Sequence, residues 1–145
     1  MKNKNKAPHA NAYTRLGISK IQGIGVFAIR DIPNNKKIFE GETSKLIWFS
    51  KNKVDKLEPA LRKLYEDFCI LEGDKYGAPD NFNNISIGWF LNHNQKNPNV
   101  RCNRNCDYVS IRKIKTGEEL SINYSSLVDN HPILATKPTK PAPKE

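Results

Sequence analysis

Between positions 88 and 124 the chain reads GWFLNH (88–93), then Pro98-Asn99, then TGEELSINY (116–124). A polar Asn-His pair interrupts an apolar run, a Pro-Asn turn follows, and a strand-like segment ends on a tyrosine. Such punctuation leaves no room for a long helix or a long strand, only for short elements joined by turns.

The rest of the chain follows the same rule. A short strand is expected over 14–21, broken by Gly23-Ile24-Gly25, and a compact apolar strand over GVFAI (25–29). Asp31-Ile32-Pro33-Asn34-Asn35 supplies turn chemistry, and KKIFEGE and KLIWFS (36–50) give two more strand candidates. GDKYGAPDNFNN (73–84) is loop by composition, and ISIGWFL (85–91) is either a strand or one helical turn. NVRC (99–102) and DYVSIRKI (107–114) form a hairpin around Asn103-Arg104-Asn105, and ELSINY (119–124) is the last strand. One helix stands out. Leu57, Leu61, Leu64, Tyr65 and Phe68 lie on a single apolar stripe, with Ser50 or Asn52 as cap and Pro59 tolerable only in the first turn. The fold class is therefore mostly β with one main helix, which covers one end of the sheet.

A chain of 145 residues has room for one domain. Its ends, MKNKNK (1–6) and KPTKPAPKE (137–145), lack apolar periodicity, and both read as disordered tails. Their six lysines against Glu145 supply five of the nine net positive charges, which leaves the folded part too weakly basic to make nucleic acid its direct substrate. The expected division is a basic N-terminal tail over 1–11, a domain over 12–128 with a helical insert at about 53–72, and a Pro/Lys-rich tail over 129–145. No apolar segment follows the first lysines as in a secretory signal, and no run reaches the ~18 apolar residues that span a bilayer. A cytoplasmic protein without membrane contact is expected, with export as an effector left open. Cys69, Cys102 and Cys106 are odd in number and irregular in spacing, so reduced thiols fit better than disulfides. No histidine or CxxC pair completes a zinc set with Cys102 and Cys106, and no metal is expected.

Taken with QGIGVFAIRDI (22–32), the 88–124 segment resembles the SET-domain family of protein-lysine methyltransferases. The resemblance implies a β-clip fold of several small sheets around a knot-like site, and S-adenosyl-L-methionine as cofactor. By the same resemblance Gly23, Ile24 and Gly25 let the backbone approach the cofactor, which Trp89, Phe90, Asn92 and His93 also hold. Tyr124 is the catalytic residue at the meeting point of cofactor and lysine channel, and Ile122, Tyr124 and Leu127 line that channel. The implied partner is a protein carrying a target lysine.

Lysine methylation is an in-line displacement, so the amine must be aligned opposite the sulfonium methyl and kept dry. With a pKa near 10.4, only about one lysine in a thousand is neutral at pH 7.4. A desolvated channel beside a sulfonium favours the neutral amine through burial and like-charge repulsion. A tyrosine with a reference pKa near 10 suits orientation and polarisation better than general-base duty.

The chain also departs from the family pattern. Trp89 stands where an arginine is frequent and is expected to pack on cofactor or core; Asn94 replaces a common serine; Ile122 replaces the Phe or Tyr that sets methyl number. Neither of the cysteine-rich zinc segments that flank many members is present. The chain resembles the minimal core of bacterial and viral members, over about 14–128. Closure of the channel falls to Leu127-Val128, to His131-Pro132-Ile133-Leu134, or to a second subunit in a homodimer. The alternative is a SET-like binding or scaffold module with little turnover.

Overall fold

The computed structural model describes residues 7–42, 45–103 and 107–125. Among the described residues nine short strands form two sheets. In the larger, β1 (Thr14–Ile18) pairs antiparallel with β2 (Ile24–Ala28), and β2 with β9 (Glu119–Ile122). Beyond Glu119 and Leu120, β9 leaves β2 and runs parallel to β6 (Asn92–His93), with Asn92 opposite Ser121 and His93 opposite Ile122. It also runs parallel to β7 (Val100–Cys102) at Val100, and β7 pairs antiparallel with β8 (Tyr108–Ser110). Val26, Ala28, Leu91, Val100, Leu120 and Ile122 close a core with Ile32, Ile38 and Ile114 beneath this sheet.

Residues 7–11, expected to belong to the basic tail, form turns held by Arg30, whose Nε and Nη2 donate to the carbonyls of Ala12 and Ala10. The Arg30 guanidinium also lies 3.8 Å from the Tyr13 ring centroid. The segments expected as tails, 1–6 and 129–145, and the expected hairpin turn at 104–106 with Cys106, lie outside the described residues.

The second sheet is antiparallel in the order β3 (Leu46–Ser50), β5 (Lys75–Pro79), β4 (Ile70–Glu72). Its central strand was expected to be loop. Composition misled because Gly77 lies under the Trp48 ring and Pro79 sits at the strand end, while Tyr76 and Ala78 are buried. The single helical insert is likewise two helices, α1 (Lys51–Asp55) and α2 (Pro59–Phe68), followed by β4. Pro59 takes the first position of α2, where its missing N–H costs nothing, so the helix restarts there and Leu57 falls before it. Ser50 precedes α1 without making a side-chain cap.

Tyr65 of α2 holds the second core together. Its ring stacks on Phe49 at 5.8 Å, meets Phe82 edge-on at 5.0 Å and lies 5.6 Å from Tyr76. Burial raises the phenol pKa of both Tyr65 and Tyr76. Phe68 then joins the two cores through an edge-on contact with Phe90 at 5.4 Å.

Two strand expectations shrink for local reasons, and the open choice over 85–91 is decided. The segment at 36–42 makes one bridge, Lys37 to Val109, before Phe39 turns in against Gly88 and Tyr108. Strand β8 stops at Ser110, whose hydroxyl donates to Pro33 O at 2.6 Å and accepts from the Lys36 N–H at 2.9 Å. The 85–91 segment is a helical turn, a 3₁₀ stretch over Ile87–Phe90 that delivers Leu91 and then Asn92 to the sheet. No helix among the described residues is long and apolar enough to cross a membrane.

Candidate active site

The β1–β2 turn is shaped by Ser19. Its hydroxyl accepts from the Ile21 and Gln22 N–H groups at 2.8 and 3.2 Å, and its own N–H donates to Gly23 O at 2.8 Å. Gly23 has φ +50, the left-handed region that favours glycine. Gly25 serves differently. A Cβ there would lie 2.4 Å from Glu119 Oε2 and 3.0 Å from Ser19 Cβ, so the missing methyl makes room for the Glu119 carboxylate.

That carboxylate accepts from the Ser19 hydroxyl at 2.7 and 3.0 Å and from Asn92 Nδ2 at 3.0 Å. Asn92 is buried, and Nδ2 is also within 3.0 Å of Ser19 Oγ, 3.1 Å of Gln22 O and 3.3 Å of Ile24 O. Four acceptors therefore converge on one nitrogen from the glycine turn and from β9.

One residue along, the Tyr124 N–H donates to His93 Nδ1 at 3.0 Å, and the rings lie 4.8 Å apart. The Tyr124 hydroxyl donates to Leu91 O at 3.1 Å. Burial pushes the Tyr124 phenol up to about 12, so it is neutral throughout the physiological range.

Asn99 clamps the crossing of these segments. Its Nδ2 donates to Glu119 O at 2.9 Å, and its Oδ1 accepts from the Ser121 N–H at 2.8 Å. The preceding turn is closed by Asn94, which exchanges hydrogen bonds with the backbone of Asn97 at 3.0 and 3.2 Å. Asn94 also donates its N–H to Ile122 O at 2.9 Å. Two short parallel pairings and a side-chain clamp thus place Asn92-His93 and Tyr124 side by side, although His93 and Tyr124 are 31 positions apart in sequence.

This arrangement, with the Gly-x-Gly turn against the Asn-His pair and the strand leading to a tyrosine, agrees with the sequence profile of the SET domain. The profile matches residues 23–125.

The chain belongs to the SET domain family.

A candidate histone methyltransferase of Plasmodium falciparum has a similar structure, with a TM-score of 0.50 and 20% identity over 78% of this chain and 93% of that one. A humanized mutant of the Chaetomium thermophilum Polycomb Repressive Complex 2, bound to an inhibitor, gives 0.49 and 20% identity over 92% of this chain and 17% of that one. At such identity the likeness is one of fold. No curated protein matches the chain.

Within this SET domain the expected site residues fall into three groups. Ile24 meets Asn92 through its carbonyl, Gly25 lies against the Glu119 carboxylate that Asn92 also binds, and His93 meets Tyr124. Trp89 and Phe90 lie in the 3₁₀ turn, both half-buried, and the Phe90 ring faces Phe68 and the core. Ile122 is 1% exposed and belongs to the hydrophobic core behind Tyr124. Leu127 lies outside the described residues. Sequence reasoning missed Ser19 altogether and passed over Glu119 as part of GEEL. Glu119 carried a signal, a carboxylate entering an apolar strand, but its partner Ser19 is 100 positions away.

Proposed function

We propose that this SET domain transfers a methyl group from S-adenosyl-L-methionine to the ε-amine of a lysine in a protein substrate. The observation that carries the reading is the bond from the Tyr124 N–H to His93 Nδ1, which unites the Asn-His segment with the tyrosine at one place.

The residues fit the cofactor. The glycine turn offers Gln22 O and Ile24 O as acceptors, and Asn92 lies against both. Ile24 is half exposed beside them and presents an apolar surface. The cofactor, once bound, supplies an electrophilic methyl on a cationic sulfur. Everything else falls to the chain. Tyr124 orients the amine and polarises the reacting centre with a neutral hydroxyl, because a phenol pushed up to about 12 does not serve as a base at neutral pH. The lysine loses its proton to water before entry, and a dry channel beside positive charge keeps it neutral. Ile122, packed behind the tyrosine, fixes its position from the core side.

Calorimetry with S-adenosyl-L-methionine and transfer of labelled methyl to lysines in a lysate test the proposal. Tyr124→Phe is expected to lower transfer at least about a hundredfold and to leave cofactor affinity within about threefold. Equal transfer by the variant removes Tyr124 from its role. A wild-type chain that binds no cofactor is a scaffold rather than an enzyme.

A further inference from the structure

We infer that Glu119 is the counter-anion for the α-ammonium group of the cofactor, with Ser19 as the residue that positions it. The inference rests on the function proposed above and adds a charged specificity residue to that site.

The two glutamates at the head of β9 have opposite fates. Glu118 pairs with the Arg112 guanidinium at 2.8 Å, and although burial pulls its pKa upward, the Lys115 N–H and Arg112 hold it lowered. Glu119, half-buried on the other face, has no Lys, Arg or His partner among the described residues. Its donors, the Ser19 hydroxyl and the Asn92 amide, are both neutral. A partly desolvated carboxylate with only neutral donors is short of positive charge.

The donor count agrees. Ser19 Oγ, Gln22 O, Ile24 O and Glu119 Oε2 all lie within 3.3 Å of Asn92 Nδ2, which carries two protons. Ser19 Oγ already accepts from the Ile21 and Gln22 N–H groups, so two protons are left for three acceptors, Gln22 O, Ile24 O and Glu119 Oε2, and Asn92 Oδ1 accepts no hydrogen bond from the described residues. A primary ammonium brings three N–H donors and a full charge, which meets both shortages at once. Gly25 leaves the carboxylate space to remain there, and Ser19 fixes its rotamer with two contacts.

A binding cycle on the full chain tests this. Calorimetry compares S-adenosylhomocysteine with its deamino analogue, in the wild type and in Glu119→Gln. The wild type is expected to bind the deamino analogue at least about tenfold more weakly, and Glu119→Gln to bind the two within about twofold. A deamino penalty that persists undiminished in Glu119→Gln overturns the assignment, as does unchanged affinity of that variant for S-adenosylhomocysteine. A further arm uses S-adenosyl-L-methionine. If Glu119→Gln changes its affinity relative to S-adenosylhomocysteine, the carboxylate serves the sulfonium instead and the ammonium assignment falls. Should Glu119→Gln lose its native circular dichroism, the cycle is read on Ser19→Ala, where the deamino penalty must shrink. A wild type that binds no adenosyl ligand defeats the proposed function itself, an outcome distinct from tight binding that ignores Glu119.

Discussion

His93 Nδ1 accepts the backbone N–H of Tyr124 at 3.0 Å, with the two rings 4.8 Å apart and tilted by 42°. An accepting Nδ1 carries no proton, so a neutral ring bears its hydrogen on Nε2. The imidazole thus acts as a strut. It holds the chain just past β9 where the parallel pairing with β6 has ended, and so fixes where the Tyr124 hydroxyl points.

Removing the strut is expected to cost function more than stability. His93→Ala loses one partly buried hydrogen bond and a ring contact, about 1–2 kcal/mol. In a chain of this size that is a melting shift of about 3–8 °C. Methyl transfer is expected to fall at least about tenfold, because small displacements of a reacting group cost rate steeply. Thermal melts and single-turnover transfer, compared on one preparation, check the split. A variant that transfers at the wild-type rate shows that Tyr124 does not need the imidazole.

Asn99 is the opposite case, a structural clamp that touches no reacting group. The residue is 2% exposed, and its side chain satisfies Glu119 O and the Ser121 N–H. Asn99→Ala strands both buried groups, an expected loss of about 2–4 kcal/mol. Urea denaturation should show a lower midpoint with an unchanged slope. Asn99→Asp keeps the acceptor for Ser121 but loses the donor to Glu119 O, and is expected to fall between wild type and alanine.

The two site glycines are expected to fail differently. Gly23→Ala meets open space but must hold φ +50, a strain of about 1 kcal/mol with little effect on the carboxylate. Gly25→Ala has no such φ, but its Cβ would strike Glu119 Oε2. The carboxylate is the free end of a flexible side chain, so it swings away at small cost to stability and breaks its bonds to Ser19 and Asn92. Gly25→Ala is therefore expected to weaken S-adenosyl-L-methionine binding about tenfold or more while melting near the wild type, and Gly23→Ala to do the reverse. Melts paired with calorimetry separate the two.

These contrasts explain how far the sequence could be read. Gly23, Asn92-His93 and Tyr124 stand at turns and strand ends, where residue type is dictated locally, so a linear motif discloses them. The mostly β fold with one main helical region was legible for the same reason, through short apolar runs between turn residues. Strand β5 was not, because Gly77 is a strand residue only by virtue of the Trp48 ring above it, which the 75–79 segment does not encode. Phe39 likewise has strand propensity, yet leaves the ladder for Gly88 and Tyr108. The Ser19–Glu119 pair spans 100 positions and follows from topology alone. Sequence therefore singled out the residues that β6 and β9 bring side by side, and tertiary pairing supplied the polar contacts around them.

The raised phenol pKa of Tyr124 makes stability itself depend on alkaline pH. Burial holds the folded-state value at about 12 against 10.0 for the exposed group. The unfolded chain thus releases this proton first as pH rises. The stabilising contribution is complete below pH 10 and is lost progressively between about 10 and 12. Two pKa units correspond to about 2.7 kcal/mol at most. Tyr65 and Tyr76, whose pKa values burial also raises, add to the same slope. Chemical denaturation of wild type and Tyr124→Phe, followed from pH 8 to 11.5, should show the wild type falling more steeply above pH 10. Over the same range the ultraviolet absorbance of the folded protein should report a tyrosine that ionises late and is missing from Tyr124→Phe. If the variant and the wild type lose stability in parallel, the ring is reached by water and its hydroxyl titrates as an ordinary phenol.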